Sequence, residues 1–308
     1  MIKVISIVLP AYKAKYFRAS INSILGQSFS DFELIIVNDA SPEDLTDIVS
    51  SFDDPRIRYY INNVNIGGRD LVENWNQCIK HAIGEFIVLA SDDDIYHPDF
   101  LKRMVALAQK YPSVDLFHCR VAVIDDQSTP IFWGASIAEY ESDIDFIYQR
   151  AITRRTQLVS DFMIRKEALY RINGFVKYPK AWYSDEMTMY LLARNKGAVC
   201  AQETLFYWRS SLVNISSSIT DTLQKAEASY LYKKDMDLLI RELVPRDEKD
   251  KYYWASLQSK IHGAIGQQLC YDLVKTRFST LIKIICNKRY RNLLSKKQYI
   301  ELVLRRIL

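Results

Sequence analysis

The chain has 308 residues, 49% of them hydrophobic and 25% charged, which suits one large globular core, alone or with a smaller appendage. Five cysteines without C-x-x-C spacing and four histidines that form no pattern with them argue against a zinc site and suit structural thiols in a reducing compartment. The formal charge is +4, yet residues 272–308 hold ten lysines and arginines against two acids, so the basic surplus lies in the tail and the body is net acidic.

Residues 4–12 (VISIVLPAY) read as a buried strand stopped by proline. The run is too short for a signal or spanning segment, and no stretch reaches the roughly 18 apolar residues a spanning helix needs. A cytoplasmic protein is the expectation. Phe17, Ile21, Ile24 and Leu25 recur at helical spacing. Residues 32–37 (FELIIV) form a second strand, and Ser41-Pro42-Glu43-Asp44 has the cap, proline and acids of a helix start. That helix takes Leu45, Ile48, Val49 and Phe52 as its apolar face. A third strand follows at 57–61, a helix marked by Leu71, Trp75, Ile79 and Ile83, a fourth strand at 86–90, a helix marked by Leu101, Met104, Val105 and Ala108, and a fifth strand at 114–124.

Strand and helix alternate four times, the pattern of an α/β fold with a mostly parallel sheet and helices on both faces. Ligands on such sheets bind at the carboxyl ends of the strands. Polar residues gather there: Tyr12, Asn38 with Asp39, and Ser91 to Asp94. Beyond Asp125 the alternation loosens. Helices are expected at about 165–172, stopped by Asn173-Gly174, and at 185–195, stopped before Gly197. A strand-like stretch follows at 205–209, and the pattern is helical from about 219 with a break at Pro245.

The sharpest chemical signal is Ser91-Asp92-Asp93-Asp94. Adjacent carboxylates repel, and at a strand end they need a cation or solvent. Mg²⁺ or Mn²⁺ takes one or two protein carboxylates and completes its shell with phosphate and water. A solvated acidic loop leading into a helix at Pro98 is the plainer alternative. Asp39 can accept from a base N–H or a ribose hydroxyl, or serve as a turn residue. Tyr12 can stack on a base or pack as an ordinary aromatic. Arg69, after Gly67-Gly68, can reach a phosphate or lie on the surface. Asp185-Glu186 can supply a general base for an acceptor hydroxyl, or simply complement a helix dipole. Around it Trp182, Tyr183, Tyr207 and Trp208 suit a sugar face or core packing, and Arg209, Asn214 and Ser216 are candidate contacts to diphosphate or acceptor.

These segments resemble glycosyltransferase family 2, inverting enzymes with the GT-A fold. The stretch VISIVLPAY is similar to that family's first strand, and the resemblance puts Pro10, Ala11 and Tyr12 against the nucleotide base. DFELIIVNDASPED (31–44) is similar to its second strand, with Asp39 at the uracil-binding position. Asn65-Ile66-Gly67 and Asn76 resemble the segment before the fourth strand, with Arg69 near a donor-contacting arginine. GEFIVLASDDDIYHPDFL (84–101) resembles the D-x-D region. By that likeness Ser91 and Asp92 belong to the nucleotide-sugar site, Asp92 at the ribose, and Asp93 holds the metal with Asp94 assisting. AWYSDEMTMYLLARNKG (181–197) resembles the acceptor side, with Asp185 at the general base. Asn38 and Ser91 stand where many members carry acids. The Q-x-x-R-W signature of processive synthases is missing, although Trp208-Arg209 stands nearby.

The resemblance implies a nucleotide-diphosphate-sugar donor, UDP foremost, a Mn²⁺ or Mg²⁺ cofactor, and a saccharide or lipid-linked saccharide acceptor in cell-surface glycan synthesis. It divides the chain into a catalytic unit at 1–218, with a donor half at 1–125 and an acceptor half at 126–218, and a helical region at 219–308. The first strand lacks the G-x-G-x-x-G of dinucleotide enzymes and the Gly-rich basic loop of nucleotidyltransferases. A sugar-nucleotide-binding scaffold without catalysis is the non-enzymatic alternative. In the tail, Val274, Phe278, Leu281, Ile282 and Ile285 share one side of a helix with Lys275, Arg277 and Lys283 elsewhere. Such a helix suits an anionic membrane surface, or packing on the catalytic unit or a second subunit. No stacking platform or groove-reading motif accompanies the charge, so nucleic acid is not an expected partner.

Overall fold

The computed structural model describes residues 5–210 and 221–307. In chain order it contains β1 (Ile5–Ala11), α1 (Phe17–Leu25), β2 (Phe32–Asn38), α2 (Leu45–Ser50), β3 (Ile57–Ile61), α3 (Leu71–Ile79), β4 (Phe86–Leu89), β5 (Ile95–Tyr96), α4 (Phe100–Lys110) and β6 (Leu116–Ile124). There follow β7 (Pro130–Trp133), β8 (Tyr140–Glu141), α5 (Asp143–Ala151), β9 (Phe162–Arg165), α6 (Lys166–Arg171), α7 (Ser184–Ala193) and β10 (Ala198–Arg209). The chain closes with α8 (Thr222–Glu242), α9 (Glu248–Lys275), α10 (Phe278–Cys286), α11 (Lys288–Arg291) and α12 (Lys296–Ile307).

One mixed, mostly parallel sheet runs β3-β2-β1-β4-β9-β6-β10-β5, with β7 on β6 and β8 on β10. The parallel sheet is interrupted where β9 inserts antiparallel between β4 and β6. Because β9 opposes both neighbours, β4 and β6 still run the same way, and β10 runs parallel to β6. The carboxyl ends of β1, β2, β4, β6 and β10 therefore share one edge. The sequence gives no sign of β9: four residues, the first three buried, show no alternation to read.

The buried strands alternate between two helical layers. Ile5, Ile7, Leu9, Leu34 and Ile36 face α1, α2 and α4 through Phe17, Ile21, Leu45, Phe100 and Met104. Val8, Ile35, Val37, Ile87 and Leu89 face α3, α5 and α7, and α8 and α9 join that layer through Tyr232, Met236 and Ile261. Near-continuous apolar strands such as β1 and β2 are what burial on both faces demands. Helix starts are mostly legible, with one shift. Asp44, not Ser41, caps α2 by accepting from Asp47 N; Ser41 Oγ instead donates to Tyr12 O at 2.6 Å. Asp70 caps α3 in the same way as Asp44. That helix ends at Ile79, and Ile83 lies exposed beyond it. At Asn173 (φ 62°) and Gly174 (φ 88°) the chain turns through the left-handed region after α6, where the sequence places a stop.

The tail is not one helix. Extended backbone at Thr276 separates α9 from α10, and the chain folds back so that Leu281 and Ile284 join Ala226, Leu269, Leu273, Leu293 and Leu302 in a third apolar cluster. Phe278 and Ile282 stay exposed. Among the described residues no helix is long and apolar enough to cross a membrane.

Leu273 is fully buried in this third cluster. Leu273→Ala is expected to lower the unfolding free energy by about 2–4 kcal/mol, read by urea denaturation; a change below about 0.5 kcal/mol would show that the tail does not pack on α8 and α9.

Candidate active site

A cavity of about 520 Å³ opens at the carboxyl edge of the sheet. Pro10, Ala11, Tyr12, Asp39, Ser91, Asp92, Asp93, Asp94 and Asp185 all line it. Residues from four distant stretches of chain thus meet, as the strand-end argument requires. Arg69 is the exception. The turn in which Arg69 N and Asp70 N donate to Ile66 O leaves it exposed and off the cavity wall.

The acids are held by very different partners. Asp39 Oδ1 accepts from Asn62 Nδ2 at 2.7 Å and Ile66 N at 2.9 Å, and Oδ2 from Gly67 N at 2.7 Å. It anchors the 62–67 loop. A Cβ at Gly67 would come within 3.0 Å of that carboxylate, so the glycine allows the close approach. Asp92 Oδ2 accepts from Tyr12 N and Lys13 N, both at 2.8 Å, which ties the end of β1 to the end of β4. Burial pushes the Asp92 carboxyl above its usual range, against the pull of those two N–H groups.

Asp94 is almost wholly buried. One oxygen accepts from Ser91 Oγ and the other from Arg209 N at 2.8 Å. Burial, and then the neighbouring Asp93, push its carboxyl up to about 8. Asp94, expected beside Asp93 as a metal ligand, therefore has both oxygens engaged. The Asp93 carboxylate accepts no hydrogen bond among the described residues and lies 4.0 Å from Lys13 Nζ. No group of three or more His, Cys, Asp or Glu side chains converges for a metal among those residues. One open carboxylate on the wall of this cavity is a donor set that a hard cation completes with substrate oxygens and water.

Arg209 has a different place from the one its sequence position suggests. Its side chain is buried, not presented to the cavity. Nε donates to Asp93 O at 2.9 Å, Nη1 to Asp125 O at 2.8 Å and Nη2 to Ser128 Oγ at 2.9 Å, while the guanidinium lies 4.2 Å from the Tyr16 ring centroid. The residue locks the Asp93–Asp94 turn to the ends of β6 and β10. Trp208 lines the cavity beside it. Asn214 and Ser216 lie outside the described residues.

Asp185 stands in the first turn of α7, where acids complement the helix dipole. Burial, then the adjacent Glu186, raise its carboxyl to about 6, with Arg150 opposing. Glu186 takes the nearby cation: Arg150 Nη2 lies 2.7 Å from it, and the Tyr232 hydroxyl donates to it at 3.2 Å. The approach to α7 is strained, with Lys180, Ala181 and Tyr183 all at positive φ. Trp75, Leu158, Val159 and Ser160 also line the cavity. Their segments carry no charge cluster or glycine signature, so only the folded chain reveals them.

Arg209→Met removes the donors to the Asp93 and Asp125 carbonyls and the Ser128 hydroxyl. It is expected to cost about 2–4 kcal/mol of stability and to weaken Mn²⁺-dependent nucleotide binding, measured by denaturation and calorimetry. Unchanged values for both would remove Arg209 from its locking role.

The model of the family described as "Glycosyl transferase family 2" matches residues 6–178. An uncharacterized glycosyltransferase of Rickettsia typhi is 30% identical over 45% of this chain and 43% of its own length. The Escherichia coli UDP-Glc:alpha-D-GlcNAc-diphosphoundecaprenol beta-1,3-glucosyltransferase WfgD is 31% identical over 34% of this chain and 41% of its own. The chain thus spans about two-fifths of the length of these two curated relatives. Among solved structures, Staphylococcus aureus TarS 1–349 in complex with UDP-GlcNAc superposes with a TM-score of 0.67 at 18% identity, covering 99% of this chain and 87% of that one. The mannosyltransferase PcManGT of Pyrobaculum calidifontis, in complex with GDP-Man and Mn²⁺, gives 0.58 at 14% identity, with coverage of 100% and 88%. These likenesses establish the GT-A fold.

Proposed function

The chain belongs to glycosyl transferase family 2, and from that premise we propose that it is an inverting, metal-dependent glycosyltransferase. It moves a sugar from a nucleotide-diphosphate donor, a UDP-sugar foremost, to an acceptor hydroxyl in cell-surface glycan synthesis. The observation that carries this reading is the shared cavity: the open carboxylate of Asp93 and the raised carboxyl of Asp185 both border it.

In this reading the donor lies along the carboxyl edge of β1, β2 and β4. Tyr12, 41% exposed at the rim, offers its ring to the base, with Pro10 and Ala11 below. Asp39 accepts from the base and keeps the 62–67 loop shaped around it. Asp92 and Ser91 border the ribose and sugar. Asp93 would hold Mn²⁺ or Mg²⁺, which when bound neutralises charge on the leaving diphosphate. Asp94 and Arg209 fix the turn that carries Asp93.

Asp185 takes the proton of the acceptor hydroxyl as that oxygen attacks the anomeric carbon from the face opposite the leaving group. One displacement inverts the anomeric configuration. The base works only when ionised. A carboxyl near 6 is half ionised there, fully ready above about 7, and lost as pH falls. The catalytic unit is read as residues 1–218 in the cytoplasm, with 219–308 docked on it. Exposed Phe278 and Ile282 on the basic tail rest on anionic lipid, close to a lipid-linked acceptor.

Three measurements test this reading. Asp185→Asn is expected to cut transfer by about 10²–10⁴-fold while leaving UDP-sugar binding intact; binding without turnover in the wild type as well would favour a scaffold. The kcat profile should rise with an apparent pKa near 6, and a limb near 4 would place the base elsewhere. For the tail, Phe278→Ser with Ile282→Ser should reduce co-sedimentation with anionic liposomes, and equal pelleting would end the membrane contact.

A further inference from the structure

Behind Asp185 lies a second cavity, of about 400 Å³, that shares Asp185 and Trp75 with the first. Four cations border it: Arg150, Arg154, Lys180 and Lys225. Three face carboxylates. Arg150 pairs with Glu186 at 2.7 Å, Lys180 with Asp221 at 3.4 Å and Lys225 with Asp272 at 3.6 Å. Arg154 has no carboxylate at ion-pairing distance among the described residues. Its guanidinium is nevertheless held in place, donating to two neutral acceptors on α9, Gln268 Oε1 and Ala264 O. An arginine has five N–H donors, so three remain for another partner.

The walls around it are built at some cost. Arg154 sits at φ 63°, and across the cavity Lys180, Ala181 and Tyr183 sit at φ 58°, 54° and 67°. Such strain persists only where the surroundings enforce it, and it clusters at functional sites. Trp182 lines the same cavity, with the Lys225 ammonium 4.2 Å from its ring centroid. Arg154 is exposed, so water meets its remaining N–H groups in the free protein, and an oxygen carrying negative charge would replace that water with a charge-assisted hydrogen bond. Asp185 borders the same cavity.

We propose that this cavity is the acceptor site and that the acceptor is an anionic saccharide, with a phosphate or carboxylate group held by Arg154 while a hydroxyl faces Asp185. A neutral sugar would stack on the aromatic wall but leave Arg154 unmatched. The inference rests on reading Asp185 as the base.

The test titrates the full chain by calorimetry with glucose, glucose 1-phosphate and glucuronate, with and without saturating UDP and Mg²⁺. A charge-assisted contact should make at least one charged sugar bind about tenfold tighter than glucose. Arg154→Gln should abolish that preference without changing UDP affinity or melting temperature. A larger gain for glucose 1-phosphate assigns a phosphate, and for glucuronate a carboxylate. No preference for either charged sugar, or a preference that survives in Arg154→Gln, overturns the proposal. Failure of UDP to bind is read separately and counts against the transferase reading itself.

Discussion

Neighbouring carboxylates in a partly buried site cannot all stay charged unless each is given its own partner, and this constraint organises the molecule. Two like charges about 5 Å apart repel by about 3 kcal/mol at an effective dielectric near 20. A hydrogen bond to a charged group contributes about 1.5–3 kcal/mol, so one or two donors per carboxylate offset part of that repulsion but not burial as well, and the Asp92 carboxyl stays raised while Asp94 reaches about 8. The turn after β4 is arranged this way. Asp92 draws on the Tyr12 and Lys13 N–H groups, and Asp94 on Ser91 and the Arg209 N–H. The carboxylate between them, Asp93, receives no such bond among the described residues. Three chemically identical side chains thereby acquire three different roles, and the one without a protein donor is the one open to a cation.

The same division governs the second acidic pair. Asp185 and Glu186 are adjacent, and Arg150 pairs directly with Glu186. Two tyrosine hydroxyls, from Tyr190 and Tyr232, donate to that same glutamate. Asp185 meanwhile bears the burial and the repulsion from Glu186, which together raise it to about 6. A group poised near operating pH transfers protons more effectively than an ordinary carboxylate near 4. The Arg150–Glu186 pair is thus no bystander: beside the larger effect of burial, Glu186 raises the neighbouring acid and Arg150 opposes it.

How much of this the sequence reveals depends on the range of the interaction. The strand-end acids are legible because a buried strand followed by polar residues is a local signal, and the α/β alternation tells where those ends point. Eight of the ten named site residues line the cavity for that reason, and Asp185, in the first turn of α7, joins them by a family resemblance and not by a strand-end signal. Arg69 fails because its direction is set by the Ile66–Asp70 turn and not by its place in the chain. Arg209 is visible as a residue but not in its role, since its partners Asp93, Asp125 and Ser128 come together only when β10 lies beside β6. Strand β9 and the cavity wall at Leu158 to Ser160 are silent for a related cause. Short segments buried by long-range pairing carry neither period nor cap.

The C-terminal region shows why charge and amphipathicity together underdetermine an outcome. Read as one helix, Val274 to Ile285 offers a single apolar stripe. In the fold the stripe is divided at Thr276, with Leu281 and Ile284 turned inward and Phe278 and Ile282 outward. Packing on α8 and α9 and contact with a lipid surface are therefore not competing fates of one face. Packing takes Leu281 and Ile284, whereas the proposed lipid contact would take Phe278 and Ile282. That arrangement also shapes the second cavity, since α9 supplies both the floor on which the tail packs and the Gln268 and Ala264 acceptors that hold Arg154.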